Sequence, residues 1–123
     1  MCIRDRDNSS NQLDSIAKLL LKYKVDGVIA TNTTIDRKCL SNSKYSLEDG
    51  VLSGAPLNKK STNVIKHLNK CINGKIPIIG VGGIITANDG IEKIKNGASL
   101  IQIYTGLIFK GHGLVNELRK AIR

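Results

Sequence analysis

The 123-residue sequence predicts an α/β fold built on a parallel sheet, and three observations carry that prediction. Helix-like and strand-like periodicities alternate along the chain. The strand-like runs are short, apolar and rich in β-branched residues, as suits strands buried on both faces. Glycines follow the last two of these runs, where a strand must turn sharply into a helix.

From Asn8 to Lys24, the apolar residues Leu13, Ile16, Ala17, Leu20 and Leu21 fall at three- and four-residue spacing behind Asn8, Ser9 and Ser10, which are candidate caps. This is an amphipathic helix. It gives way at Val25-Asp26-Gly27 to the strand Val28-Ile29-Ala30. The stretch from Thr31 to Lys60 holds Thr, Asn, Ser, Gly and Pro56 with little periodicity, and reads as a long loop of the kind that carries function. A second helix is expected from Ser61, with Val64, Ile65, Leu68, Cys71 and Ile72 inward, closing at Gly74. A strand from Ile76 to Val81 follows. Thr86, three residues before Asp89, forms a capping-box pattern that opens a helix running through Ile91 and Ile94 to Gly97. Ser99 to Ile103 is the last strand, and one final helix carries Leu114, Val115, Leu118 and Ile122.

Three parallel βα units fit a piece of either an open doubly wound sheet or a closed eight-stranded barrel. A dinucleotide-binding open sheet places G-x-G-x-x-G after its first strand, whereas the glycines here follow the last two. The prediction is therefore a piece, about three βα units, of a (β/α)8 TIM barrel.

Barrels frequently hold a phosphate between the loops after their last two strands. Gly80-Val81-Gly82-Gly83-Ile84 follows one strand and Tyr104-Thr105-Gly106 the next, so backbone N–H groups from both can converge on one anion. Alone, Gly82-Gly83 would be a tight turn; the second loop favours phosphate, without saying which phosphate. Ala30-Thr31-Asn32-Thr33-Thr34 sits at the C-terminal end of the first strand, and its hydroxyls and amide suit a planar ligand edge. An Asn/Thr turn bonded to its own backbone is an equal reading of the same residues. Ser53-Gly54, stiffened by Pro56, completes the polar set. No Ser-His-Asp or Cys-His arrangement and no close carboxylate pair is visible, so hydrolysis by those routes is unsupported.

A formal net charge of +9 raises nucleic acid or an anionic membrane surface as a partner. The lysines, however, are scattered along every predicted helix, and aromatic residues make up only 3% of the chain. They read as a solvated surface, with no nucleic-acid partner expected. Cys2, Cys39 and Cys71 are odd in number and lack C-x-x-C spacing, and His67 and His112 lie far apart, so neither disulfides nor a metal site is expected. No apolar run is long enough to cross a bilayer. Met1 to Arg6, MCIRDR, is a charged stub without a signal-peptide core, and is expected to be foreign to the native protein.

Taken together, Asp26 to Thr34, Leu52-Ser53-Gly54, Pro77 to Ile84 and Gly97 to Gly106 closely resemble the C-terminal third of the quinone-linked dihydroorotate dehydrogenases. The resemblance spans Asp7 to Arg123, and it implies an FMN-containing barrel that oxidises dihydroorotate to orotate in pyrimidine synthesis and passes electrons to a quinone. Residues 1–7 would then be the stub and 8–123 the C-terminal part of the FMN-binding barrel. Carried over by position, Gly83, Tyr104 and Thr105 would bind the FMN phosphate, with Gly82 beside them as a further cofactor contact. Thr31 and Gly54 would contact the flavin or its ribityl chain, and Asn32 and Thr33 the orotate ring.

The family's catalytic base, a flavin-contacting lysine, the first barrel strands and the helices that meet quinone and membrane would lie upstream, so no catalytic residue is assigned here. A peripheral membrane location is implied, on the cytoplasmic face in a bacterium or at the inner mitochondrial membrane in a eukaryote. A fragment alone would be inactive and aggregation-prone, with apolar faces exposed. Two positions depart from the family pattern. Val51 replaces a glycine, which is expected to narrow the flavin edge and lower FMN occupancy, and His112 replaces a proline, which is expected to alter only a helix cap. Two other readings compete: another phosphate- or FMN-binding barrel enzyme, and a small basic binding protein.

Overall fold

A computed structural model describes residues 7–38, 43 and 49–123. Helix α1 (Ser10–Lys22) starts where Ser9 closes a capping box: Gln12 N–H donates to the Ser9 hydroxyl at 3.4 Å, and the Ser9 N–H donates to Gln12 Oε1 at 2.8 Å. Strand β1 (Val28–Ala30) is followed by a polar segment, a 3-10 turn at Ala55–Leu57 and helix α2 (Asn58–Ile72). Then come β2 (Ile78–Val81), α3 (Ala87–Lys95), β3 (Leu100–Gln102), α4 (Thr105–Lys110) and α5 (His112–Ile122).

The three strands form one parallel sheet in chain order, with Ala30 beside Gly80 and Val81 beside Gln102. Strand–helix alternation in a parallel sheet is the predicted architecture. The main core lies between the sheet and the α1–α2 pair, where Leu13, Ala17 and Leu20 meet Ile65, Leu68 and Ile72 over Val28 and Ile78. Ile65 is fully buried, so truncation to alanine costs about 2–5 kcal/mol. A smaller cluster of Ile84, Leu114 and Leu118 ties α5 down.

Several expectations shift. Helix α2 begins at Asn58 rather than Ser61, because the 3-10 turn containing Pro56 leads straight into it. Its left-handed cap is Asn73 (φ 52°), one residue before the expected Gly74. Instead of one final helix there are two, parted at Gly111 (φ 62°), with His112 opening the second as expected. Strand β3 is exposed, with Leu100 62% accessible, because no described element covers its outer side. One lysine is not on the solvated surface: Lys93 is fully buried between α2 and α3. Cys2, Cys39 and the stretch Met1 to Arg6 lie outside the described residues. Among the described residues, no helix is long and apolar enough to cross a membrane.

Candidate cofactor and substrate site

The C-terminal ends of all three strands open into one cavity of about 280 Å³. Each strand delivers its predicted residues there: Thr31, Asn32 and Thr33 from β1, Gly82 and Gly83 from β2, Tyr104 and Thr105 from β3. Ser53 and Gly54 close it from the long loop. Every residue singled out from the sequence as a cofactor or substrate contact therefore lines the same space.

Local chemistry explains the shape. Asn32 Oδ1 accepts from the Thr33 N–H at 2.9 Å, so the Asn/Thr turn and the cavity wall are one structure rather than alternatives. Thr34 and Leu52 exchange backbone hydrogen bonds at 3.1 and 2.8 Å, which brings the distant loop back beside β1. The neighbouring Val51 is 43% accessible and is not among the residues that line the cavity. The Thr105 hydroxyl donates to Ser53 Oγ at 3.1 Å and joins the loop to the start of α4.

The glycine pair is fixed by close approach. Gly83 has φ 70°, and a Cβ there would collide with the Asn58 backbone; a Cβ on Gly82 (φ 115°) would meet Leu57 and Ser61 at 3.0 Å. A layer of polar groups braces this turn from behind. Asn58 Nδ2 donates to the Gly83 carbonyl at 3.0 Å and to Asp89 Oδ1 at 3.1 Å. The Ser61 hydroxyl donates to the Val81 carbonyl. Asp89 also accepts from the N–H groups of Ile85 and Thr86, so the predicted capping box doubles as a support for the turn.

Lys93 completes the brace, donating to the Asn58 carbonyl at 2.8 Å and to Thr62 Oγ1 at 2.6 Å. Burial pushes its pKa down to about 8, against the opposing pull of Glu92 and Asp89. On the β1 side, Asp7 accepts from the Thr34 hydroxyl at 2.6 Å, from the Ile35 N–H at 3.1 Å, and from Lys60. Burial pushes the Asp7 carboxyl up, but these bonds outweigh it and hold the pKa below the ordinary 3.8. Only tertiary contacts reveal Lys93, Asp7 and Lys60 as supports.

None of the described residues that line the cavity carries a charge. An anion there would be held by backbone N–H dipoles and hydroxyls rather than by ion pairing. A larger hollow, of about 410 Å³, lies between β3 and α5 under Ile101, Ile103, Leu118 and Ile122; its lining is mostly apolar, with Arg119 and Arg123 as its charged members. It is an exposed apolar face, in line with the apolar faces expected from the sequence.

A family model described as Dihydroorotate dehydrogenase matches residues 7–123. Among curated proteins, the chain is similar to the Dihydroorotate dehydrogenase (quinone) of Nitrosospira multiformis, at 50% identity over 90% of this chain and 32% of that protein. It is equally similar to the protein of the same name from Wigglesworthia glossinidia brevipalpis, at 50% identity over 94% and 34%. Among solved structures, DHODH of Eimeria tenella in complex with ferulenol superposes with a TM-score of 0.87 at 36% identity, covering 94% of this chain and 31% of that one. The chain thus spans about a third of the length of the relatives it matches.

Proposed function

The chain belongs to the dihydroorotate dehydrogenase family, and from that premise we propose that it forms the flavin-phosphate and substrate-facing wall of an enzyme that oxidises dihydroorotate to orotate with FMN and a quinone acceptor. The observation that carries this reading is the convergence of Thr31, Asn32, Thr33, Gly54, Gly82, Gly83, Tyr104 and Thr105 on one cavity at the C-terminal ends of parallel strands.

The cavity fits such a cofactor. Its glycine turn keeps side chains away from an approaching phosphate, and hydroxyls of Ser53 and Thr105 stand at the rim. At about 280 Å³ it is slightly smaller than a pocket that encloses a drug-sized ligand, as one wall of a larger site should be. In the proposed assignment Gly82, Gly83, Tyr104 and Thr105 cradle the FMN phosphate, and Thr31 and Gly54 meet the flavin or its ribityl chain.

When bound, FMN takes up the two electrons that leave dihydroorotate. The chain's own residues bind and orient. Asn32 and Thr33 hydrogen-bond the amide edge of the substrate ring and hold it in one pose, which is how positioning lowers a barrier. No described residue lining the cavity is a base, so the group that accepts the substrate proton comes from the part of the family's length that this chain does not span. That part also covers the apolar hollow between β3 and α5, supplies the quinone site, and seats the protein peripherally on a membrane: the cytoplasmic face if bacterial, the inner mitochondrial membrane if eukaryotic.

The test is to express the full-length protein and record its flavin spectrum under anaerobic conditions. Bleaching on addition of dihydroorotate, reversed by a quinone, is the expected result. Bound flavin indifferent to dihydroorotate, or no flavin at all, overturns the reading.

A further inference from the structure

Asp14, His67 and Cys71 bring three different metal-ligand chemistries together between α1 and α2, and none of them lines the cavity. His67 and Cys71 are four residues apart on α2, which stacks them on one helix face, and Asp14 meets them from α1. Asp14 Oδ1 lies 2.7 Å from His67 Nε2 and 3.3 Å from Cys71 Sγ, and the three donor atoms all fall within 4.8 Å of one another. Among the described residues this is the one group of three such side chains so placed.

We propose that this cluster binds a borderline divalent transition ion, zinc foremost, which pins α1 to α2. The donor set selects the class of ion. One imidazole nitrogen, one thiolate and one carboxylate suit zinc or cobalt, whereas magnesium and calcium call for oxygen ligands throughout. The spacing suits it as well. Tetrahedral zinc, with bonds of roughly 2.0 Å to nitrogen and oxygen and roughly 2.3 Å to sulfur, separates its ligand atoms by roughly 3.3–3.6 Å. The present N–O and S–O distances need to open by well under 1 Å, and the imidazole nitrogen and the sulfur, within 4.8 Å of one another, need to close toward that spacing.

The side chains of His67 and Asp14 are 30% and 47% accessible, so an ion can enter from solvent and keep a water as its fourth ligand. Binding exchanges the Cys71 thiol proton for the metal, with one proton released per ion taken by the neutral imidazole, the carboxylate and the new thiolate. Lys18 and Lys70 place positive charge nearby, so affinity falls below that of a closed four-ligand structural site. The His67–Cys71 pair does not by itself read as a zinc motif, because the third ligand, Asp14, comes from another helix.

The probe is cobalt(II), titrated into the purified full-length protein. The expected result is one equivalent bound with visible ligand-field bands and a near-ultraviolet thiolate-to-cobalt band, and with zinc displacing it and raising the melting temperature. Cys71→Ser should abolish the thiolate band, and His67→Gln or Asp14→Asn should weaken binding at least tenfold, with far-ultraviolet circular dichroism and flavin content unchanged. Absence of any thiolate band in the wild-type protein, or its persistence in Cys71→Ser, overturns the proposal, the latter by placing the ion on another cysteine.

Discussion

Lys93 Nζ, buried on α3, donates to the backbone carbonyl of Asn58, the first residue of α2, at 2.8 Å. Asn58 in turn holds the Gly83 carbonyl through its side chain, so a buried cation and the glycine turn of the cavity are two bonds apart. Among the described residues the hydrogen-bond partners of Lys93 are a carbonyl and the Thr62 hydroxyl, not a carboxylate. An ammonium buried on such partners is paid for by the packing around it.

That arrangement makes stability depend on pH in a stated direction. With a folded pKa of about 8 against the ordinary 10.5, the unfolded chain holds a proton between those values that the folded chain has lost. Stability therefore rises with pH across this window, and below about pH 8 the folded state bears the full cost, roughly 3 kcal/mol at most. Lys93→Met removes the charge while the Thr62 hydroxyl still donates to the Asn58 carbonyl at 2.9 Å. Denaturant titrations of both proteins should show the variant's relative stability to be greatest near pH 7 and to shrink by pH 10. A difference that stays constant would mean that Lys93 does not titrate in this range.

Asp7 gives the opposite sign. Its folded pKa lies below the ordinary 3.8, so its contribution is present above that value and is lost as pH falls through the folded pKa. The side chains of Asp7 and Lys60 are 26% and 39% accessible, and after solvent screening Asp7→Asn should cost only about 1 kcal/mol near neutral pH. Acid titration of both proteins should show the gap closing below the ordinary aspartate value. A gap that widens in acid would refute the assignment of these bonds to the ionised carboxylate.

Two glycine-to-alanine changes should diverge. Gly83→Ala drives a Cβ into the Asn58 backbone at a positive φ, and should cost more than about 3 kcal/mol and expel the flavin together with the turn. Gly113 lies in α5 with open space where an alanine methyl would sit, so Gly113→Ala should stabilise by about 0.5–1 kcal/mol. Thermal melts with flavin absorbance separate the two, and similar effects from both would contradict the close packing of Gly83.

What is legible in the sequence is what is encoded within a few residues. The strand Val28–Ala30, the Thr86–Asp89 box and the placement of Thr31, Asn32, Gly82, Gly83, Tyr104 and Thr105 at strand ends follow from local pattern and from the βα order. The remainder needs tertiary contacts. Lys93 has the same sequence signature as a solvated lysine, and only the docking of α2 on α3 buries it. Asp14 is 53 residues from His67 and 57 from Cys71, a separation no motif spacing spans. The break between α4 and α5 depends on the positive φ of Gly111, which a helix-period count does not register. Val51 draws attention because it replaces a glycine of the family pattern, yet it is not among the residues that line the cavity.

The division of labour within the cavity is itself testable. Asn32 shapes the β1 turn through Thr33, whereas Thr105 ties the loop to α4 through Ser53. If Asn32 orients substrate, Asn32→Ala should leave flavin content intact and raise the dihydroorotate concentration for half-maximal bleaching by about 10- to 100-fold, the equivalent of one or two hydrogen bonds. If Thr105 serves the phosphate, Thr105→Val should lower flavin affinity and leave half-saturation of the flavin-loaded fraction unchanged. The two readouts are independent, since one counts bound flavin and the other measures what that flavin responds to. Loss of flavin in Asn32→Ala, or a shifted half-saturation in Thr105→Val, would show that Asn32 and Thr105 do not divide substrate from cofactor in this way.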